Sequence, residues 1–501
     1  MAKFKRYDYS QKVLIPVSLQ EQLVPGSLEF AIHTLIETRM DMSVFEGNYK
    51  NDETGRSAYD PKILLKVLLL AYARGLISSR QIERACCENV TFMALSGNQR
   101  PDHSTIATFV SSMKDQILPL FCDILLVCEQ ENLLGGTFFA LDGVKLPSNA
   151  SKENSGTISE LKKKKDKIQK KVKRLLKDQI EADKDDDDDF AGPSSRERQI
   201  DKLKKQADRI ERWLKENDAK ISSNGKELKS NLTDNESAMM LTSGGTIQGY
   251  NGQALVDGKH QIVVHGEAFG SGQDAKHLEP MVDGAKDNLQ KIGQRADYFK
   301  GKVFTADTNY HNQNNLKKCH DEQLDAYIPD LKFRNRDPRF ATRPRYRPRK
   351  GNKFVLKDFK YDQSKDCYIC PNGKILKLDT KKFTRDRNIY RRYLADENDC
   401  ASCSLTPRCF YRKNTKRRSL DVPIGAEKSN FSKAMQNKVD SAKGREIYPQ
   451  RFAIVEPVFA NIKTQKRLNR FTLRGKVKVN IQWMLYCMVH NIEKIMNFAG
   501  T

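Results

Sequence analysis

The sequence lacks a long hydrophobic run. None of its apolar stretches approaches the roughly 18 uncharged residues that a membrane-spanning helix requires, so no membrane segment is expected. The basic first residues are followed only by the short apolar run VLIPV, which predicts no secretory signal. These two absences disfavour membrane and secreted proteins, and they favour a cytoplasmic one.

Hydrophobic and acidic residues are both scarce. Hydrophobic residues make up 38% of the 501 residues, below the usual value of about 45–50%, so parts of the chain must be strongly solvated. Asp and Glu number 64 against 88 Lys and Arg, which leaves a formal net charge of +24. The length predicts roughly two to four domains. The positive excess favours a polyanionic partner, nucleic acid first, without separating an enzyme from a binding protein.

Disulfides are not expected despite 11 cysteines, because nothing in the sequence indicates export to an oxidising compartment. Five of the cysteines follow the spacing Cys367-x2-Cys370 and Cys400-x2-Cys403-x5-Cys409. Paired C-x2-C turns predict four thiolates around a structural Zn²⁺ ion, as in zinc ribbons. Five candidates for four positions leave one ligand undecided, and reduced free thiols are the alternative interpretation.

The pattern of apolar residues divides the chain into domains. Residues 1–134 predict a helical domain that either contacts DNA or serves as a scaffold or dimer surface. Residues 135–157 and 230–329 alternate strands and a helix, which predicts an α/β layer with a mixed sheet. Residues 421–501 return to apolar helices, the last of which is expected to be largely buried in the same core.

Two insertions interrupt this core. Residues 158–229 predict a helical hairpin with a thin apolar seam and highly charged outer faces, broken by the acidic run Asp185–Asp189. The hairpin either contacts DNA or a partner, or it is a solvated spacer. The sequence does not decide between these functions, because alternating charge is typical of any exposed coiled coil. The second insertion, residues 330–420, combines a basic segment with the cysteine cluster.

The basic segment covers residues 331–353. It contains ten Lys or Arg residues against one acid, and Arg343, Arg345, Arg347 and Arg349 form its densest part. Arginine favours bidentate contact with phosphate, and the interspersed prolines predict an extended backbone. An arm that follows DNA is therefore expected, with a solvated linker as the alternative.

Aspartates follow two of the expected strands. Asp142 ends the apolar run FFALD and Asp307 ends KVFTAD, and a carboxylate at either position has no packing reason to be there. Ligand groups gather at the carboxyl ends of strands in open α/β sheets. Two such aspartates with a third carboxylate would hold two Mg²⁺ ions about 3.5–4 Å apart. The alternative is that each aspartate merely begins a turn, as we expect for Asp257 before Gly258.

Several longer stretches resemble the DDE transposases of bacterial insertion sequences. They are FALDGVKLPSNAS, TADTNYH, YPQRFAIVEPVFANIK and FTLRGKVKVNIQWMLYCMVHNIEKI. The runs SAYDPKILLKVLLLAYARGLISSRQIE and PDHSTIATF resemble the InsH-like helical N-terminal domain of that group. The resemblance implies a multidomain α+β fold with a ribonuclease-H-like catalytic core, a helical-hairpin insertion and a small zinc-ribbon-like insertion.

The same resemblance implies roles for individual residues. Asp142 and Asp307 match the first two catalytic carboxylates, and Glu456 matches the glutamate on a late helix. Tyr448, Arg451, Glu456 and Lys463 resemble a Tyr-Arg-Glu-Lys signature, although the interval from Arg451 to Glu456 is one residue longer than in that signature. Lys463 would contact a DNA phosphate near the metal ions, and Tyr448 and Arg451 would also belong to the DNA-binding surface.

The function implied is a transposase that binds terminal inverted repeats, hydrolyses phosphodiester bonds and transfers DNA strands. Its cofactors would be two Mg²⁺ or Mn²⁺ ions per active site, with a structural Zn²⁺ ion. Its partners would be double-stranded DNA at the transposon ends and the target, in a homodimer or larger synaptic complex associated with the nucleoid. A catalytically idle DNA-binding regulator and a metal-dependent nuclease without strand transfer are the alternatives.

Overall fold

A computed structural model describes residues 18–49, 57–182, 195–222, 225–343, 353–385, 388–412, 414–424 and 431–499. The chain divides into two compact units. The first contains residues 1–328 and 446–501, and the second contains Pro329–Arg445. Both units combine helices with a sheet, which confirms the expected multidomain α+β class.

Six α-helices lie in the described residues at the start of the first unit, and the residues at their N-termini explain where several of them begin. They are α1 (Leu28–Thr38), α2 (Pro61–Ala73), α3 (Ser79–Glu88), α4 (Val90–Leu95), α5 (His103–Ser112) and α6 (Ile117–Gln130). Asp60 caps α2 by accepting from the amide of Lys62, and Ser78 with Gln81 forms a capping box at α3. Helix α2 is buried along most of its length, as its apolar sequence predicts.

The sheet of the first unit follows, interrupted by the hairpin. The elements are β1 (Phe138–Pro147), β2 (Ser155–Gly156), α7 (Ile158–Ala182), α8 (Ser195–Glu216), β3 (Ser230–Asn231), β4 (Ala238–Thr242), β5 (Gly245–Asp257), β6 (Val263–Phe269), α9 (Leu278–Lys291), β7 (Val303–Ala306), α10 (Gln313–Asp321) and β8 (Asp325–Tyr327). Strands β4, β5, β1, β7 and β8 lie side by side in that order, and β6 pairs with β5. Strand β5 is antiparallel to β1, whereas β1, β7 and β8 are parallel, so the mixed sheet is confirmed.

The hairpin insertion is formed by α7 and α8. Its base is fastened by a small apolar cluster in which Leu161, Ile210, Trp213 and Leu232 are buried. The backbone amide of Ile158 also donates to a carboxylate oxygen of Glu227 at 2.6 Å. The expected hairpin is therefore present and is anchored firmly to the first unit.

The second unit contains mainly antiparallel strands. Its elements are α11 (Phe333–Arg336), β9 (Lys360–Asp362), β10 (Cys367–Ile369), β11 (Ile375–Arg385), β12 (Asn388–Ala395), α12 (Glu397–Ala401), α13 (Thr406–Cys409), β13 (Ser419–Pro423) and α14 (Phe431–Asp440). The strands form one sheet in the order β13, β12, β11, β10 and β9. Phe354, Phe359, Leu376, Tyr393 and Leu420 form its small core.

Two long helices end the chain, α15 (Ala442–Ala460) and α16 (Lys476–Phe498), with a π-helical turn at Asn461–Gln465 after α15. The side chains of α16 are buried along most of its length, as expected. The Trp483 indole donates to the Gln253 carbonyl oxygen at 2.9 Å, which fixes α16 against β5. No helix in the described part of the chain is long and apolar enough to span a membrane.

Candidate active site

Strands β1 and β7 place two aspartates next to each other. The parallel ladder pairs Leu141 with Ala306, so the following residues, Asp142 and Asp307, leave it side by side. Neighbouring strands lie about 4.8 Å apart, and Asp142 is close enough to Asp307 to raise the pKa of the Asp307 carboxyl. The carboxylates predicted from separate parts of the sequence therefore share one site.

The surroundings of the two aspartates differ from the expectation in one respect. Asp307 does follow the last residue of β7, and its carboxylate caps a 3-10 turn by accepting from the Asn309 amide at 2.8 Å. Asp142, however, does not end its strand, because β1 continues to Pro147 through pairing with β5. The prediction of a strand end at Asp142 was wrong because the apolar run stops there, whereas the backbone pairing does not.

Burial and mutual repulsion shape the charge of this pair. The pKa of Asp307 is raised to about 6, mainly because the carboxyl is buried and next because Asp142 lies beside it. A pair of close carboxylates with a raised pKa is typical of a functional site rather than of a turn. The arrangement is suited to a bound cation, which would relieve the repulsion.

Arg451 supplies a positive charge at this position. Its guanidinium, on α15, donates to an Asp142 carboxylate oxygen at 2.7 Å, and the Arg451 side chain is only 6% exposed. The Arg451 pKa is raised despite burial, because Asp142 and Asp307 favour the charged form. The structure shows Arg451 paired with the first aspartate, and the expected role of Arg451 at the DNA surface stays a prediction.

Replacing Arg451 with Gln should lower the free energy of unfolding by roughly 1–3 kcal/mol, because the partly buried carboxylates then face each other without a cation. Urea denaturation measures this change. A double-mutant cycle provides the control: adding Asp142→Asn to Arg451→Gln should cost much less than the two separate losses combined. Strictly additive losses would show that the two side chains are not coupled.

A second group of polar side chains, centred on Asp274, is hydrogen-bonded to the turn that begins at Asp307. Asp274 accepts hydrogen bonds from Asn251 at 2.6 Å and from Gln253 at 3.0 Å. Asn309 links the two groups, because its side-chain nitrogen donates to a carboxylate oxygen of Asp307 at 3.1 Å and to one of Asp274 at 3.3 Å. Asp274 could not be identified from the sequence, since an acid at the start of a helical segment has the same local pattern as an ordinary helix start.

Gly143 shows how tightly this region is packed. A Cβ atom at Gly143 would lie 1.9 Å from the Gln253 side-chain nitrogen and 2.7 Å from the Asn251 side-chain oxygen. The strand therefore needs a glycine directly after Asp142 so that these two amides can reach Asp274. Asp257, in contrast, accepts from the amides of Gly135, Gly136 and Lys259, which confirms that it is a structural turn residue.

The other residues of the expected signature differ in their exposure and contacts. Glu456 is exposed and makes no hydrogen bond or ion pair with any residue that the structure describes. Lys463 is exposed in the π-helical turn after α15. Tyr448 is buried, with its ring centroid 6.4 Å from that of Phe452. Within the described residues, no three His, Cys, Asp or Glu side chains are close enough to hold a metal ion.

Four of the five clustered cysteines lie near one another in the second unit. Burial is the main cause of a raised pKa at the Cys409 thiol. Three other thiols are close enough to raise it further, those of Cys370, Cys400 and Cys403. Two N–H groups already point at sulfur: the amide of Lys374 lies 3.3 Å from the Cys370 sulfur, and the side-chain nitrogen of Asn372 lies 3.4 Å from that of Cys403.

Cys367 lies apart from this group. It is buried within β10, where it pairs with Asp362 on one side and Lys377 on the other. Its neighbour Tyr368 packs on the core of the unit together with Cys370. Because successive strand residues point to opposite faces, Cys367 faces away from that core.

The basic segment is partly neutralised within the second unit. Arg336 pairs with Asp330 and Asp440, and Arg339 pairs with Asp337. The predicted extended backbone was wrong for its first part, because Phe333–Arg336 and Pro338–Phe340 form helical turns. Pro338 begins the second turn, where its fixed φ angle and missing N–H are well tolerated.

Of the four arginines in the densest part of the basic segment, only Arg343 lies among the described residues. Arg343 is exposed and its guanidinium lies 5.4 Å from the Phe340 ring centroid. Arg345, Arg347 and Arg349 lie outside the described residues. Their assignment to DNA contact stays a prediction.

Two family models match this chain. The model described as a transposase DDE domain matches residues 369–496. The model described as a transposase domain (DUF772) matches residues 17–112. The first match includes Arg451 and Glu456 but not the strands that carry Asp142 and Asp307. No curated protein matches the sequence.

Proposed function

Because the chain belongs to the DDE transposases of insertion sequences, we propose that it binds the terminal inverted repeats of its element, hydrolyses phosphodiester bonds there and transfers the strands. The observation that carries this proposal is the adjacency of Asp142 and Asp307 at the end of the parallel β1–β7 ladder, with Asp307 partly buried and its pKa raised to about 6. A DNA-binding regulator has no need of such a pair.

The sheet order supports a ribonuclease-H-like core for this chain. Strands β6, β5 and β1 form an antiparallel meander, and β7 and β8 extend the sheet on the other side of β1, parallel to it. In that arrangement β1 lies at the centre, where the chain switches direction across the sheet. Ligand sites in open α/β sheets form at such a switch point.

Asp142 and Asp307 fit the chemistry of a divalent metal ligand pair, because Mg²⁺ prefers carboxylate oxygens and retains open positions. The bound metal would activate a water molecule or a 3′-hydroxyl and stabilise the charge on the leaving oxygen. Glu456 is proposed as the third ligand on the resemblance, five residues after Arg451 on the same helix. The proposal that a second metal ion binds at this site depends on the same resemblance.

The chain's own side chains prepare this site. Arg451 holds one oxygen of Asp142, and the Asn309 amide hydrogen-bonds one oxygen of Asp307, so both carboxylates are oriented before substrate binds. Tyr310 is fully buried and donates its hydroxyl to the side-chain oxygen of Gln253, which anchors the turn after Asp307. Lys463 is proposed to contact a DNA phosphate, in keeping with its exposed side chain.

Incubation with the DNA that flanks the gene and with Mg²⁺ tests the proposed function, with mapping of cut ends and joined products. Cuts at the element ends followed by joining to target DNA are expected. Cuts without joined products would identify a nuclease, and tight DNA binding without any cut would identify a regulator. Binding of terminal repeats by two chains at once would further support a synaptic dimer.

Glu456→Gln should reduce cleavage by about 10²–10³-fold, because removal of one charged ligand weakens the stabilisation of the transition state. Rates on a pre-formed duplex end measure this loss. Glu446→Gln is the matched control: Glu446 is exposed on the same helix, and its substitution should leave the rate unchanged. The reverse result would assign the third carboxylate to Glu446 instead.

We also propose that the second unit binds one structural Zn²⁺ ion through Cys370, Cys400, Cys403 and Cys409. A set of four thiols suits zinc, and hydrogen bonds from N–H groups to sulfur are typical of the surroundings of a metal-bound thiolate. The four thiols are near one another but not at ligand distance in the structure, so zinc binding would draw them together. Cys367, which faces away from the others, is left out of this ligand set. The proposal thus decides between the five candidate cysteines.

A further inference from the structure

The hairpin formed by α7 and α8 carries an uneven charge. Helix α7 contains ten Lys or Arg residues against four acids, whereas α8 contains eight against five. Its base is fixed by the cluster around Trp213 and by Arg209, whose guanidinium donates to the Leu232 carbonyl oxygen at 3.1 Å. The hairpin is therefore a supported arm whose surface is presented to solvent.

The outer face of α7 is a continuous positive stripe. It consists of Lys163, Lys167, Lys170, Arg174 and Lys177, spaced alternately by four and three residues. This spacing keeps the five residues on one helix face, opposite the buried Leu161 and Val172. The stripe spans about 21 Å, at 1.5 Å per residue.

Four of these five cations form no ion pair with the described residues. Lys163, Lys167, Lys170 and Arg174 are exposed, and no carboxylate among the described residues lies within ion-pair distance of any of them. Self-repulsion along such a stripe destabilises an isolated helix by a few tenths of a kcal/mol per pair. A stripe of this kind is therefore costly unless an anion binds it.

Helix α8 shows what a solvated face of the same hairpin looks like. Its outer face alternates in sign through Arg198, Asp201, Lys205, Asp208 and Arg212. Lys205 pairs with Asp201 at 3.9 Å, and Lys215 pairs with Glu211 at 3.5 Å. The named residues of both faces are exposed, so solubility alone does not account for the one-signed face of α7.

We propose that the α7 stripe is a DNA-binding surface that contacts the phosphate backbone of a duplex beyond the catalytic pair. This inference rests on the proposed function, which supplies duplex DNA as the partner. A length of 21 Å corresponds to about six base pairs at 3.4 Å per step, and a straight row of cations at regular spacing suits contact with successive phosphates. A second copy of the chain is a weaker candidate, because the α8 face it would present is balanced in charge.

The test replaces Lys163, Lys167, Lys170 and Arg174 together with Gln. Glutamine is a good helix former, so circular dichroism should show an unchanged helix content. The slope of log K against log[salt] should become shallower by about 2–4, since each lost phosphate contact removes roughly 0.9. Affinity for a 40-base-pair end in 0.1 M salt should fall at least tenfold, and a footprint should lose about six protected base pairs.

The matched control replaces Arg198, Lys202, Lys205 and Arg212 of α8 with Gln, which removes the same charge from the other helix. This variant should keep the salt slope and footprint of the unmodified protein. Equal losses in both variants, or an unchanged slope in the α7 variant, would overturn the inference. A changed sedimentation coefficient without a changed slope would instead assign the stripe to contact between copies of the chain.

Binding is measured without a divalent metal, so the result does not depend on catalysis. If the unmodified protein binds the duplex but never cuts it, the proposed strand-transfer function fails and the α7 inference stands. If cutting is normal while the α7 variant binds like the unmodified protein, only the inference fails.

Discussion

Replacing Asp142 or Asp307 with Asn should abolish DNA cleavage and strand transfer, with a loss of at least about 10³-fold in rate. The two carboxylates lie side by side at the end of the β1–β7 ladder. Loss of one ligand charge costs several kcal/mol of transition-state stabilisation, and each 1.4 kcal/mol is a factor of ten. DNA affinity should survive, since it comes from phosphate contacts elsewhere.

Stability measurements separate this catalytic loss from misfolding. Asp307→Asn removes a buried charge beside Asp142, so its free energy of unfolding should stay the same or rise. Asp142→Asn removes the ion pair with Arg451 and should cost stability in the same assay. Asp297→Asn, at an exposed position, is the control that should keep full activity. Near-normal cleavage by either variant would show that the substituted aspartate does not belong to the active site.

Replacing Cys403 with Ala should release the bound zinc and destabilise the second unit. The unit has only a small apolar core, and four thiolates around Zn²⁺ would supply a large part of its folding free energy. Protein purified without chelator should contain about one zinc per chain, and the variant should contain almost none. Metal analysis and limited proteolysis of residues 353–424 measure the two effects.

Cys367→Ala is the matched control for this prediction. Both substitutions remove one thiol from the same unit, but Cys367 lies on the other side of β10 from the four clustered thiols. The Cys367 variant should lose some packing and still retain its zinc. Zinc loss from the Cys367 variant, or a folded zinc-free unit in the unmodified protein, would refute the proposed ligand set.

Local sequence patterns predicted the individual elements well. Asp60 and Pro61 start α2, and Ser78 with Gln81 starts α3, because caps act within a single helical turn. The aspartate before Gly258 was recognised as a turn residue for the same reason. Interactions within about four residues are visible in the sequence because the backbone itself brings those residues together.

The contacts that define the site could not be predicted in this way. Arg451 and Asp142 are separated by 309 residues, and nothing local to either indicates the ion pair. Asp274 is linked to the site by hydrogen bonds from the side-chain amides of Gln253 and Asn309, which lie in two other segments of the chain. The prediction that β1 ends at Asp142 was wrong, because hydrogen bonding between β1 and β5 continues after the apolar residues stop.

The sequence by itself determined the resemblance to DDE transposases, the positive excess and the positions of the carboxylates and cysteines, because each of these depends on residue identity and short spacing. Tertiary structure alone decided which of them lie together. The parallel register of β1 and β7 made neighbours of Asp142 and Asp307, and burial raised the pKa of Asp307. The alternation of side chains along β10 set Cys367 apart. Register and burial arise from contacts between distant segments, so no local window contains them.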